Sequence, residues 1–398
     1  PLTITAAAQS DGNQLPFTFQ VSNSTNTMDL NGRYFLDQQL IDAALSVQMN
    51  DSELVASLFS DVISDLQGTI RAAATITGPI KNPNVTGGIY FQDIAVTTVN
   101  PILNFYVPED SVTIENSTLL MDYFTVYDGE AHPLTLHGFI QPDRVYGLAY
   151  DLQLKTDHYT LINHPDSSSG KVRGSLVIDS DIKLKGNNKD RFVDGRIGIK
   201  ADTDLRFIAA SDKIVLLNTK GIVEFIDPFS MPDSVVVQSE NFYDSLIASL
   251  PELNITSNIT IDENAKLRLD MDEHSGDYIQ ASGNANLDLA YDRTGNLQLS
   301  GNYTVKSGVY RLSFYDLVKK NFSLVQGSSI NWNGSPKNGD LDLKALHVVA
   351  SNSLGLIGHE IGENEKSIYK RSLDYQVGII ITGTVEKPVV SFSLDLPK

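Results

Sequence analysis

Cysteine is absent from the 398 residues. That removes disulfides, thiolate metal ligands and a thiol nucleophile together. Basic residues are scarce: 30 Lys and Arg face 49 Asp and Glu, a net charge of −19. Nucleic acid and anionic headgroup surfaces both demand a basic face, so neither is expected as a partner. No apolar run approaches the roughly 20 residues that a membrane helix needs. The densest stretch is only Val377-Gly378-Ile379-Ile380-Ile381, so this segment is not expected to span a bilayer. No signal peptide opens the chain, which starts at Pro1, and it reads as a piece of a longer protein. Hydrophobic residues still make up 41%, enough for a core and too many for a disordered acidic chain. Single cores stop growing near 250–300 residues. A chain of this length divides or extends in one dimension, and its patterning favours extension.

What is present is alternation. Leu267-Arg268-Leu269-Asp270-Met271-Asp272, Leu287-Asp288-Leu289-Ala290-Tyr291-Asp292 and Leu341-Asp342-Leu343-Lys344-Ala345 switch between apolar and polar at every step. Successive strand side chains point to opposite faces, so each run is a strand with one greasy and one wet face. Turn signals such as Asp11-Gly12-Asn13, Asp128-Gly129, Thr294-Gly295-Asn296 and Lys337-Asn338-Gly339 separate the runs, which predicts an antiparallel meander. Three segments depart from this rhythm. Leu54, Leu58, Val62 and Leu66, capped by Asp51 or Ser52 and by Gly68, predict a short helix. Phe242–Ile247 and Phe314–Lys319 are weaker versions. An internal frame, Ile-Thr-Gly-x-apolar-x-x-Pro-x-Val, occurs at Ile76–Val85 and Ile381–Val390, with a partial copy at Leu136–Ile140.

These residues resemble a known family, TamB (translocation and assembly module), within the wider AsmA-like group of periplasm-spanning proteins. The resemblance is tightest in Gly308-Val309-Tyr310-Arg311-Leu312-Ser313-Phe314, Lys319–Leu324 and Gly327–Pro336 with its Gly-Ser-Ser-Ile-Asn-Trp-Asn-Gly-Ser-Pro run. It continues to Leu341–Ala345. It is strongest over 301–345, with repeat frames at 68–90 and 376–397. It implies one continuous elongated groove over 1–398: an all-β, long curled, antiparallel-rich sheet (a β-taco) with a few short helices. It also implies a Gram-negative periplasm, a parent anchored in the inner membrane and an Omp85-type outer-membrane barrel as partner. The implied task is phospholipid transport between the membranes in support of outer-membrane biogenesis. The alternative is a chaperone or scaffold for assembly or secretion of outer-membrane β-barrel proteins. No catalytic residue comes with the resemblance.

Alternation alone ranks a two-layer sandwich first; the resemblance puts an open trough ahead. A trough of Leu, Ile, Val and Phe can solvate phospholipid acyl chains without fixing one orientation. The lining residues expected are Leu267, Leu269, Met271, Leu287, Leu289, Leu297, Leu299, Leu341 and Leu343. The same trough, with its edges, can shelter an unfolded strand by strand addition. A third reading, an extracellular adhesin or carbohydrate-binding β-protein, ranks last, because the acidic residues scatter along solvent faces. No enzyme, metal or cofactor is expected. His359-Glu360 lacks the second His of a zinc helix. Asp270–Asp277 fails the calcium-loop spacing and reads as a solvated hairpin tip. Asp202, Asp204 and Glu224 read as solvent-side charges, and Trp332 as a packing anchor beside Gly334-Ser335-Pro336. The numerous Asn-x-Ser/Thr sequons suit a glycosylated secreted protein, yet Asn- and Thr-rich strands also generate them by chance.

Overall fold

The structure, a computed structural model, describes residues 2–50, 56, 60–99, 103–164, 172–208, 253–272, 276–314, 318–352 and 372–395. Twenty-two strands run through the described residues. The first ten are β1 (Thr3–Ala8), β2 (Gln14–Ser22), β3 (Asn26–Phe35), β4 (Leu40–Met49), β5 (Ile63–Pro79), β6 (Asn84–Thr98), β7 (Asn104–Glu115), β8 (Thr118–Tyr127), β9 (Pro133–Asp143) and β10 (Gly147–His164). Then come β11 (Val172–Asn187), β12 (Arg191–Ile199), β13 (Asp204–Ile208), β14 (Asn254–Ile261), β15 (Lys266–Asp272) and β16 (Asp277–Tyr291). The last are β17 (Leu297–Phe314), β18 (Val318–Leu324), β19 (Ser329–Gly334), β20 (Asp340–Asn352), β21 (Ser372–Gly383) and β22 (Pro388–Asp395). The all-β expectation holds.

The chain forms two compact units. The first comprises residues 1–163, 177–197 and 253–257; the second comprises 164–176, 198–252 and 258–398. In the first unit β1 to β10 form an antiparallel meander, each strand paired with the one before it. In the second unit β15, β16 and β17 pair antiparallel in succession. The long β17 then pairs with both β18 and β19, which pass the sheet to β20, β21 and β22. β13 lies parallel to β15, while β11 runs antiparallel to β13.

The turn signals do what the sequence asks of them. Asp11 and Gln14 exchange backbone hydrogen bonds around Gly12. Asp292 O accepts the N–H of Gly295 at 2.9 Å. Both full copies of the internal frame make the same object, a strand end, a tight turn and a returning strand. Gly78 and Gly383, at φ +94° and +82°, adopt the left-handed backbone there that a side chain resists. The partial copy at Leu136–Ile140 lies inside β9 instead.

The expected first helix is cut short. Ala56 is helical, but Leu66 and Gly68 sit in β5, where Leu66 pairs with Val96. Residues 51–55 and 57–59 lie outside the described residues, as do Phe242–Ile247. Phe314 ends β17 and Val318 opens β18, so the third expected helix is a strand on either side of 315–317, which lie outside the description. Apart from Ala56, the helical residues among those described form a single 3₁₀ turn, Pro336–Asn338.

One irregularity matters for the faces. Ile70 pairs with Phe91 and Leu66 with Val96, so β6 carries one residue more than β5 over that stretch. The surplus falls at Asp93, which has φ +52°, a β-bulge.

Candidate functional site

Pairing register decides which side chains share a face. In the first unit it lines up Ala6, Phe19, Leu30, Leu45, Ala74, Gly87, Ile114, Leu119, Ile140 and Tyr150, one residue from each of ten strands. A parallel row runs Ile4, Val21, Met28, Val47, Ala72, Ile89, Val112. Strands lie about 4.8 Å apart, so the ten-strand row spans roughly 40 Å of uninterrupted apolar surface. The other face reads Thr3, Ser22, Thr27, Gln48, Arg71, Tyr90, Ser111. Parity therefore sorts greasy from wet from β1 to β7, while Leu120 and Phe139 of β8 and β9 fall on the polar side.

Exposure shows how that apolar face is covered. Phe17, Phe19, Val21, Leu30, Leu45 and Val47 are half-buried. Ala43 and Ala74, small residues on the same face, are buried. From β2 to β5 large side chains shield small neighbours beside them but stay open above, whereas Val112 of β7 is buried. Such shielding comes from within the layer, where an opposed sheet would seal the large residues too. One patch is more closed: Leu66, Ile94 and Val107 are buried, with Ala56, Phe91 and Phe124 packed against them.

In the second unit the corresponding row is Leu205, Leu267, Ala281, Gly308 and onward to Ala345, Ile379 and Phe392. Leu324, paired with Ala345, stands beside Gly308: a Cβ at Gly308 would lie 2.6 Å from its Cδ1. Eight of the nine residues expected from the sequence fall on this face. Leu267 and Leu269 pair with Ala281 and Ile279; Leu289 pairs with Leu299, and Leu297 with Tyr291. Leu341 pairs with Ile330 and Leu343 with Ile381, while Leu287 shares its strand face with Leu289. Met271 stands at the register shift between Asp270 and Asp272. Accessibility divides them. Leu287 and Leu343 are sealed in a packed cluster with Tyr303, Val305, Phe322 and Ile379, with Leu299 and Leu341 against it. Leu269 is 41% exposed, and Leu267, Leu289 and Leu297 are half-buried. Trp332 also packs on this cluster and donates Nε1–H to Pro336 O at 3.1 Å, the anchor expected of it.

Burial pushes the phenols of Tyr303 and Tyr310 up to about 12, so both are neutral in the cluster. Two carboxylates are buried as well. Asp128 accepts the N–H groups of Glu130, His132 and Thr160 at 2.7–2.9 Å and pairs with His132 Nδ1 at 2.9 Å. Burial alone would raise its pKa; those hydrogen bonds outweigh burial and bring it to about 2. Asp270 is ion-paired to Arg206 and, at 2.7 Å, to Arg268, whose guanidinium lies 3.8 Å over the Tyr278 ring. The solvated hairpin tip expected over Asp270–Asp277 is thus corrected at Asp270, which is buried. Parallel pairing sets Arg206 beside Arg268, and two adjacent guanidinium groups need a counter-charge. Asp204 is exposed, as expected, 3.7 Å from Lys266. Glu224 and His359 lie outside the described residues.

Sequence reasoning did not single out the Asp128 knot, the Asp270 pair or Tyr90. Only the first had a signal, the Asp128-Gly129 turn with His132 four residues on. Among the described residues no three imidazole or carboxylate groups converge as a metal site, and no helix is long and apolar enough to cross a membrane. No curated protein matches the chain. The profile of the TamB C-terminal domain matches residues 122–398, which contain the Gly308–Ala345 signature and the second copy of the internal frame. The chain therefore belongs to the TamB C-terminal domain family, envelope proteins of bacteria with a role in outer-membrane assembly.

Proposed function

We propose that the apolar faces act as a hydrophobic groove for phospholipid acyl chains passing between the inner and outer membranes. In this reading the segment lies in the periplasm of a Gram-negative bacterium, and its parent is anchored in the inner membrane. An Omp85-type barrel, the partner that the family implies, receives it at the outer membrane. The protein performs no chemistry on its cargo and needs no cofactor.

The observation that carries the reading is the apolar row from Ala6 to Tyr150, whose large residues remain open above. Each methylene moved from water onto such a surface is worth about 0.8 kcal/mol, so a dozen amount to roughly 10 kcal/mol. The headgroup stays in water and needs no basic pocket, in keeping with a net charge of −19. The test is phospholipid co-purifying with the chain, read by mass spectrometry, in wild type and in Leu289→Asp. Leu289 is accessible on the second unit's apolar face, so a carboxylate there repels acyl chains without opening the sealed cluster. Bound lipid falls severalfold while the circular dichroism spectrum is unchanged. Wild type free of lipid would end the proposal.

A second reading has its own observation. β1 is exposed at all six residues, and Phe392 and Leu394 of β22 are 62% and 57% exposed. Terminal strands of this kind can take on a further strand, which favours a chaperone for unfolded outer-membrane barrel proteins. Crosslinks from β1 or β22 to nascent barrel strands, without bound lipid, would put that reading first.

A further inference from the structure

We infer that the polar face of the first unit carries a saccharide-binding site centred on Tyr90. A depression of about 690 Å³ is walled by three consecutive residues from each of four neighbouring strands, 46–48, 71–73, 90–92 and 109–111. In each triplet the outer two residues belong to the polar face and the middle one to the apolar face, by register. The walls do not include Ile70, Ile89 or Val112, the apolar-face neighbours of those middle residues. The depression therefore opens on the polar side, opposite the proposed groove.

Tyr90 gives it a floor. A Cβ added to Gly88, the preceding residue on the same face, would lie 3.3–3.4 Å from the Tyr90 hydroxyl and ring. The ring is thus laid along the sheet over a buried glycine, and Tyr90 is nevertheless 53% exposed. One aromatic face is covered by backbone and the other is offered outward. Around it, the Arg71 guanidinium donates to Gln92 Oε1 at 2.9 Å, with Glu109, Ser46 and Ser111 at the rim. Asp110 is already engaged, accepting the N–H groups of Ser111 and Thr125, each at 2.7 Å.

The chemistry of this lining selects the ligand. The negative π face attracts polarised C–H groups stacked on it. The rim offers both donors and acceptors, and Arg71 and Glu109 cancel in charge. A pyranose has a C–H face and a girdle of neutral hydroxyls, which matches both. The volume lies in the range of small-molecule sites. A stacked nucleotide carries phosphate, which a net charge of −19 repels. An acyl chain leaves the polar rim unpaired.

The experiment is calorimetric titration of the full chain with the tetramer of N-acetylglucosamine and with cellotetraose. The two arms separate an amino-sugar glycan from a plain glucan, and binding of either supports the site. Tyr90→Ala then weakens binding roughly tenfold, whereas Tyr90→Phe, which keeps the ring, stays within about threefold. Arg71→Gln, which leaves the Tyr90–Gly88 contact intact, weakens it severalfold and serves if Tyr90→Ala does not fold. Bound phospholipid is unchanged in these variants, so the test is separate from that of the groove. No heat from either tetramer at millimolar concentration overturns the inference. So does binding indifferent to Tyr90→Ala and Arg71→Gln, or a Tyr90-dependent preference for an unrelated decapeptide.

Discussion

At Asp128 one buried carboxylate meets three backbone N–H groups and an imidazole. The β8–β9 connection is closed by Glu130 and His132, and Thr160 ties it to β10. Removing the carboxylate leaves those donors unpaired, so Asp128→Ala is expected to cost roughly 3 kcal/mol in urea unfolding. The pH dependence has a definite sign. The folded pKa, about 2, lies below the ordinary 3.8, so an unfolded chain takes up the proton first as acid is added. The stabilisation from Asp128 is complete above about pH 4 and is lost as the pH falls toward 2. Wild type and Asp128→Ala should therefore differ by a constant amount from pH 7 to 5 and converge in stronger acid. Divergence with falling pH would show that the carboxylate is not held this way. Tyr159, buried nearby, feels the same charge: burial first, then Asp128, drives its hydroxyl pKa upward.

Among the elements, the bulge at Asp93 sets the sidedness of half of β6. Phe91 precedes it and Ile94 and Val96 follow it, yet all three reach the same cluster, because one extra residue restores the parity that β5 imposes. Inserting one further residue after Asp93 turns Ile94 and Val96 toward the polar side. The expected loss is about 3 kcal/mol or more in unfolding free energy, with increased binding of a hydrophobic dye to the folded state. A variant as stable as wild type would mean that the bulge does not set the sidedness of β6. The strands and turns were legible from the sequence because alternation needs only neighbouring residues. The stripe Leu54, Leu58, Val62, Leu66 was not, for a geometric reason: a spacing of four is about one helical turn and also two strand repeats. Leu66 obeys the second, continuing through Ile70, Ala72, Ala74 and Ile76. The greasy face of Leu267, Leu289 and Leu299 was equally legible. Its accessibility was not, since Leu287 and Leu343 are sealed by residues from strands distant in sequence.

For the molecule, an acidic surface and open apolar faces act against each other. A charge of −19 keeps copies apart at neutral pH, and protonating the carboxylates removes that repulsion before the apolar rows lose any attraction. Light scattering should therefore rise sharply near pH 4.7, the isoelectric point, and reverse when detergent micelles cover the apolar faces. A scattering profile flat across that pH would argue that those faces are shielded. The apolar surface was legible in composition and alternation together, but its continuity was not, because register across ten strands is a property of pairing.

The pairing scheme also sets an order of events. From β1 to β10 every strand needs only its predecessor, so the chain can assemble hairpin by hairpin while later residues are still emerging from a narrow exit. Such local contacts form early. The parallel match of residue 204 with 266 obeys no such rule. It has to wait until the chain has been delivered as far as residue 266, and it makes the junction of β13 with β15 the natural late and rate-setting step in maturation of this protein.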